Sequence, residues 1–192
     1  FSYDRRNRAF MPTSGSIIKF RQSIPVIADK AFIANTFSSS IYKSITEDVV
    51  GATKIYLSSI DGIGADNVRL SKRISLPSRR VRGFERGKIG PRDGSDHVGG
   101  NHAAALNFEL NLPTLLPEST KTDVGLFLDF ANVWGVDYDT TLGESNKLRS
   151  STGVSASWLS PLGPMSFILS TNLSKADTDV TESFNFNLGT TF

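Results

Sequence analysis

The stretch that decides the fold is the C-terminal one, Ser183-Phe184-Asn185-Phe186-Asn187-Leu188-Gly189-Thr190-Thr191-Phe192. Every second side chain in it is apolar or threonine, and the side chains between them are Ser, Asn, Gly or Thr. Successive side chains of a β-strand point to opposite faces of a sheet. The segment is therefore predicted to be a strand with one apolar face and one polar face.

The same alternation recurs upstream in the segments 101–112, 123–132, 150–159 and 164–173. It is only partial in the segments 15–25, 31–46 and 52–62. A helix is an alternative for 31–46, because its apolar residues recur at intervals of four. We favour a strand there, since the segment is rich in Ser, Thr and β-branched residues. These segments give eight predicted strands, and residues 1–6 are a possible ninth.

Membrane-spanning β-strands explain this pattern better than a soluble sandwich does. The longest aliphatic run is about five residues, whereas a membrane-spanning helix needs roughly 20. A soluble β-sandwich also alternates apolar and polar side chains. However, the polar faces here carry few charges, and aromatic residues such as Trp134, Trp158 and Phe192 stand near strand ends, as in the aromatic girdles of barrels. The chain is predicted to be one all-β domain, an antiparallel transmembrane β-barrel over 1–192 with a long loop at 64–99.

The residues that could carry chemistry do not form a recognisable catalytic or metal site. The 21 Lys and Arg against 19 Asp and Glu leave a charge of +2, which does not point to nucleic acid as a partner. His97 and His102 lack a metal-ligand context. Glu109 and Asp129 lie on polar strand faces, but nothing in the sequence places them at an acid–base distance. We therefore expect no enzyme activity, no metal and no cofactor.

Several motifs occur in a fixed order along the chain. They are Pro12-Thr13-Ser14-Gly15, Val81-Arg82-Gly83-Phe84 with Gly87 and Ile89-Gly90-Pro91, Val98-Gly99-Gly100-Asn101, Phe127-Leu128-Asp129-Phe130-Ala131-Asn132-Val133-Trp134, and Trp158-Leu159-Ser160-Pro161-Leu162-Gly163-Pro164. Each motif alone is weak. The ordered set, which covers essentially the whole chain, resembles the BamA-type outer-membrane assembly family.

This resemblance implies a sixteen-stranded barrel in the bacterial outer membrane, preceded by periplasmic POTRA domains. Such a barrel inserts other barrels without a cofactor. The chain would match its last eight strands and the end of the preceding one, as an excised fragment or a natural miniature. The implied partners are the lipid bilayer, nascent outer-membrane proteins and, if the parent has POTRA domains, periplasmic assembly factors. The alternatives are a transport pore of the two-partner-secretion type and a purely structural small barrel.

The resemblance also implies roles for individual residues. Val81, Arg82, Gly83 and Phe84 would form the motif of a lid loop, with Arg82 paired to the lumen carboxylates Glu109 and Asp129. The last strand would be the insertion signal, and the residues that carry it are Phe184, Phe186, Leu188, Gly189 and Phe192.

Strand number leads to two further predictions. Eight strands can close if 15–25 pairs with 183–192, and a two-chain homodimer is the alternative. An eight-stranded interior is filled by its own side chains. If the barrel is eight-stranded and monomeric, Arg82 should be expelled from the lumen, and Glu109 and Asp129 should find other donors such as Arg149 or ordered water.

Overall fold

The computed structural model describes residues 1–25, 31–64, 66–139, 142, 147–160 and 163–188. Apart from three short 3-10 turns at Leu70–Lys72, Ser78–Arg80 and Glu118–Thr120, its regular structure is β. The strands are β1 (Ser2–Asp4), β2 (Gly15–Ser23), β3 (Phe32–Ser44), β4 (Val50–Gly62), β5 (Arg92–Asp93), β6 (Asp96–His97), β7 (His102–Leu112), β8 (Thr122–Trp134), β9 (Arg149–Ser160), β10 (Gly163–Ser174) and β11 (Phe184–Leu188). Within the described ranges no helix is long and apolar enough to cross a membrane.

Nine of these strands form one antiparallel sheet in the order β1-β2-β3-β4-β7-β8-β9-β10-β11. The predicted all-β, antiparallel fold is confirmed. The doubtful segment 31–46 is a strand, because β3 pairs along its whole length with β4 and also with β2. The possible ninth strand is present as β1, which pairs with β2 at Ile17–Lys19.

An apolar row crosses the outer face of the sheet from β7 to β11. Directly opposed residues on the five strands make it, and they are Leu110, Leu126, Val154, Leu169 and Phe184. Each of these side chains is between 42 and 61% exposed. A contiguous apolar surface of this kind is typical of a membrane-facing wall.

The connection between β4 and β7 covers the inner face of the sheet. We call residues 64–99 of this connection the lid. A buried core joins the lid to the sheet. The lid supplies Leu76, Val81, Phe84 and Ile89, and the sheet supplies Ala103, Ala105, Ala131 and Val133. Three of the four sheet residues are alanines, so the wall leaves room for the larger side chains of the lid. The lid therefore packs as part of the fold.

The predicted closure of the sheet by 15–25 and 183–192 is wrong where the structure describes both segments. The edge of β2 is already occupied, since β1 pairs with it and Arg5 N donates to Ser16 O at 2.8 Å. The only ladder described for β11 joins it to β10. The physical reason is volume, because the lid fills the concave side that a closed eight-stranded barrel would need for its own side chains. Gly189 and Phe192 lie outside the described residues.

Candidate functional site: the lid latch

The candidate site is a buried ion cluster that fastens the lid to strands β7 and β8. Arg82 follows the 3-10 turn Ser78–Arg80 and is 6% exposed. Gly83, the next residue, has a φ of +88°, and a Cβ there would lie 3.1 Å from Asn172 Nδ2. Glycine permits both the left-handed conformation and this close approach. The motif therefore turns the chain so that the Arg82 side chain is directed at the sheet.

Asp129 on β8 receives three hydrogen bonds from Arg82. The backbone N of Arg82 donates to Asp129 Oδ2 at 3.0 Å, its Nε donates to Oδ2 at 2.7 Å, and its Nη2 donates to Oδ1 at 2.6 Å. Asp129 is fully buried. A guanidinium fork that meets a carboxylate through two nitrogens fixes both distance and orientation. This pair therefore sets the position of the lid relative to β8.

Glu109 on β7 binds the third nitrogen of the same guanidinium. Arg82 Nη1 lies 2.9 Å from Glu109 Oε1, and Lys54 Nζ on β4 lies 2.6 Å from Glu109 Oε2. Two cations and two carboxylates thus form one cluster without net charge. Buried charges are tolerated when they are paired in this way. The Arg82 guanidinium also stacks on the Phe127 ring at 3.8 Å from its centroid.

Uncharged polar side chains on the inner face bind the lid backbone around the cluster. Asn107 Nδ2 donates to Arg80 O at 2.9 Å and to Asp129 Oδ1 at 2.8 Å. Ser151 Oγ on β9 donates to Arg82 O, and Asn172 Nδ2 on β10 donates to Gly83 O at 2.9 Å. Side chains of three strands thereby donate hydrogen bonds to carbonyl oxygens of the irregular lid backbone. Buried backbone groups need such partners.

A second attachment joins the lid to the segment 175–183. Glu85 N donates to Val180 O at 3.0 Å, and Glu182 N donates to Gly83 O at 3.1 Å. The segment itself is held by a buried ion pair, in which Arg149 Nε and Nη2 lie 2.9 and 3.0 Å from the Asp179 carboxylate. The lid is therefore linked to the connection that leads directly into β11.

The backbone of β11 presents an unpaired edge in the part of the chain that is described. Ser170 N donates to Ser183 O at 2.9 Å, so this opposed pair is hydrogen-bonded. In an antiparallel ladder hydrogen-bonded and non-hydrogen-bonded pairs alternate. The next pair, Leu169 with Phe184, is therefore of the second kind, as is Phe167 with Phe186. The backbone N–H and C=O of Phe184 and Phe186 consequently point away from β10, toward the edge.

The whole chain is similar to one family of known proteins. The Omp85 superfamily domain matches residues 1–192. The chain belongs to the Omp85 superfamily. It is 34% identical over 139 residues to the outer membrane protein assembly factor BamA of Neisseria meningitidis serogroup B, covering 58% of this chain and 17% of that protein. It is 27% identical over 188 residues to BamA of Neorickettsia risticii, covering 95% and 25%.

A solved structure is similar to this Omp85 chain as well. The crystal structure of BamA from Haemophilus ducreyi lacking POTRA domains 1-3 superposes with a TM-score of 0.85 at 26% identity, covering 96% of this chain and 40% of that one. The resemblance to BamA-type barrels predicted from the motifs is confirmed. The chain spans a quarter or less of the length of these two curated relatives.

The structure brings together three of the residues selected from the sequence, Arg82, Glu109 and Asp129. The prediction that Arg82 is expelled from the inner face is therefore wrong. Arg149 was also assigned wrongly, because its described ion pair is with Asp179. The error came from the assumed eight-stranded closure, which would have left no room for the lid.

Other selected residues lie away from the cluster. Val81 and Phe84 belong to the core between lid and sheet, while Phe184, Phe186 and Leu188 are exposed on the outer face. Four residues of the site were not selected from the sequence, and they are Lys54, Asn107, Ser151 and Asn172. Asn107 could have been found, because it shares the polar face of β7 with Glu109. The other three gave no signal that distinguishes them from ordinary polar residues of a barrel wall.

Proposed function

We propose that this chain forms membrane-embedded wall and lid of an outer-membrane protein assembly factor in the bacterial outer membrane. Its clients would be nascent outer-membrane proteins. Support comes from the Omp85 domain over the whole chain and from relatives that carry the name of such a factor. The apolar row on the outer face fits contact with lipid.

The observation that carries the mechanism is the outer backbone edge of β11, which has no ladder partner among the described residues, next to a fixed lid. A client strand that enters lipid must satisfy its N–H and C=O groups, because an unpaired backbone group in hydrocarbon costs several kcal/mol. The outward-directed N–H and C=O groups at Phe184 and Phe186 offer such a strand a pairing template. No nucleophile, metal or cofactor is needed for this task, and we propose that the chain is not an enzyme.

The lid latch would keep the strands of the sheet in a fixed geometry while a client strand pairs with the edge of β11. The cluster at Arg82 attaches the lid to β7 and β8. The hydrogen bond from Glu182 N to Gly83 O attaches the lid to the segment 175–183, which precedes β11. A rigid wall keeps the template edge in one geometry, which lowers the entropic cost of pairing with it.

The proposal is tested by replacing one backbone donor at the edge. Phe186→Pro removes an N–H that points away from β10, so the β10–β11 ladder keeps its hydrogen bonds. Phe186→Val keeps the N–H and an apolar outward side chain, and it is the matched control. Each protein is placed in lipid vesicles, and the folding of a urea-denatured outer-membrane protein is followed by its heat-dependent gel mobility.

We expect the parent and Phe186→Val to accelerate folding over empty vesicles, and Phe186→Pro to lose most of that acceleration. Equal rates for both variants would mean that the edge is not the template. Bilayer recordings on the same samples separate the transport alternative, since a pore would conduct ions in the absence of any client.

A further inference from the structure

A large cavity lies between the lid and the inner face, beside the latch. Its volume is about 860 Å³, and its walls come from the segment that precedes β2, from the lid and from inward-facing residues of the sheet. A water molecule occupies roughly 30 Å³ of liquid, so the space is far larger than a single small ion needs.

The described lining of the cavity is strongly basic. Seven cationic residues contribute to it, and they are Arg6, Lys19, Lys54, Arg79, Arg80, Arg82 and Arg86. Two carboxylates contribute to it, Glu109 and Asp123. Glu109 is already shared by Lys54 and Arg82, and Arg6 pairs with Asp4. Among the residues that the structure describes, the remaining four cations have no salt bridge to a carboxylate.

Arg80 is the most constrained of these four cations. Its guanidinium stacks on the Tyr56 ring at 4.9 Å, and its Nε is buried without a hydrogen-bond partner in the described structure. Burial and the neighbouring charge of Arg79 lower the pKa of Arg80. A buried donor without a partner is unfavourable, and more so when the group is charged. A carboxylate that pairs with the Arg80 guanidinium would offset part of this unfavourable burial.

We infer that this cavity binds an acidic polypeptide segment, one that carries several Asp or Glu side chains. The free cations lie on separate elements, with Lys19 on β2 and Arg79, Arg80 and Arg86 on the lid. A peptide with several carboxylates spaced along its chain can pair with all of these dispersed cations at once. A single phosphate ion can pair only with cations that lie next to each other. The lining also includes apolar side chains such as Phe10, Met11 and Ile168, which suit the non-polar parts of a peptide. The inference does not depend on the insertion mechanism proposed above.

The probe for the test is a fluorescein-labelled peptide of about eight glutamates, and a glutamine peptide of equal length is its control. The salt concentration is varied as well, because screening should weaken binding that depends on charge pairing. The 192-residue chain is folded in neutral detergent, and binding is followed by fluorescence anisotropy. We expect saturable binding of the glutamate peptide only. Arg80→Gln should weaken it about tenfold, the effect of losing one charge-assisted hydrogen bond of about 1.4 kcal/mol.

Two further variants keep the test decisive. Arg86→Gln, at an exposed lining residue, should weaken binding even if Arg80→Gln disturbs the lid. Lys72→Gln removes an exposed lid cation that does not line the cavity, and it should leave binding unchanged. The inference is overturned if the peptide does not bind, if both arginine variants bind it as the parent does, or if inorganic phosphate at equal ionic strength displaces it as readily as a competing glutamate peptide.

Discussion

The latch makes a quantitative prediction for the variant Arg82→Ala. This change removes the two side-chain hydrogen bonds to Asp129 and the contact with Glu109. Asp129 is fully buried, and the donors to its charge that then remain among the described residues are the Asn107 amide and a backbone N–H. Removing one partner from a buried pair typically costs about 3–5 kcal/mol. We expect the free energy of lid opening to fall by that amount.

A double-mutant cycle separates the pair from its surroundings. Asp129→Asn keeps the shape of the side chain and removes its charge. If Arg82 and Asp129 act as one unit, the double variant should be less destabilised than the sum of the single variants, with a coupling above about 1.5 kcal/mol. The coupling of Arg82 with Glu109→Gln should be smaller, because Glu109 is also paired with Lys54.

Lid opening is measured by the rate of cleavage with a protease of broad specificity. When opening and closing are fast relative to cleavage, this rate reports the population of the open lid. Arg86→Ala is the control, since Arg86 is an exposed lid arginine without a described salt bridge. A coupling below about 0.5 kcal/mol, or an equal effect of Arg82→Ala and Arg86→Ala, would refute the latch.

Three other changes test the fold around the latch. Leu188→Arg places a charge on the outer face and should cost up to about 2–4 kcal/mol on refolding into lipid vesicles; a yield equal to that of the parent would contradict the facing of β11. Gly90→Ala should lower the free energy of unfolding by about 1–3 kcal/mol in thermal unfolding, because φ is +98° and the new Cβ would lie 2.9 Å from Val133 Cβ. Gly94→Ala is the control and should lower it less, because a Cβ there would have no atom within 4 Å. Asp179→Asn should weaken the buried pair with Arg149, and hydrogen exchange should then rise in 175–183; unchanged exchange would mean that the pair does not hold this segment.

The facing of the strands was predictable because the period of two is a local property of the sequence. It placed Glu109 and Asp129 on the inner face and Leu188 on the outer face without any knowledge of the neighbours. The same parity holds for Asn107, which is why its contact with Asp129 could have been expected. The segment 31–46 was ambiguous, since its apolar spacing also fits a helix, and it was the ladders to β2 and β4 that decided it.

The position of the lid was not predictable from the same pattern. The lid has no periodicity, and its place depends on how strongly the sheet curves and whether it closes, which are properties of the whole assembly of strands. One signal was nevertheless present in the inward-facing alanines at positions 103, 105 and 131. A closed eight-stranded barrel fills its interior with side chains of the wall. Small residues at these positions instead indicate that another segment fills the space.

The core and the ion cluster contribute to the lid in different ways. Four lid side chains are buried against the sheet, and burial of an aliphatic or aromatic side chain is worth about 1.5–3 kcal/mol each. The net contribution of a buried ion cluster is close to zero, because desolvation offsets the attraction between the charges. The apolar core must therefore supply most of the free energy that docks the lid, while the guanidinium fork of Arg82 determines the position in which it docks. It follows that replacing the whole cluster with apolar residues of similar volume should leave the lid docked but less uniquely placed, whereas removing one charge alone should weaken lid docking by about 3–5 kcal/mol.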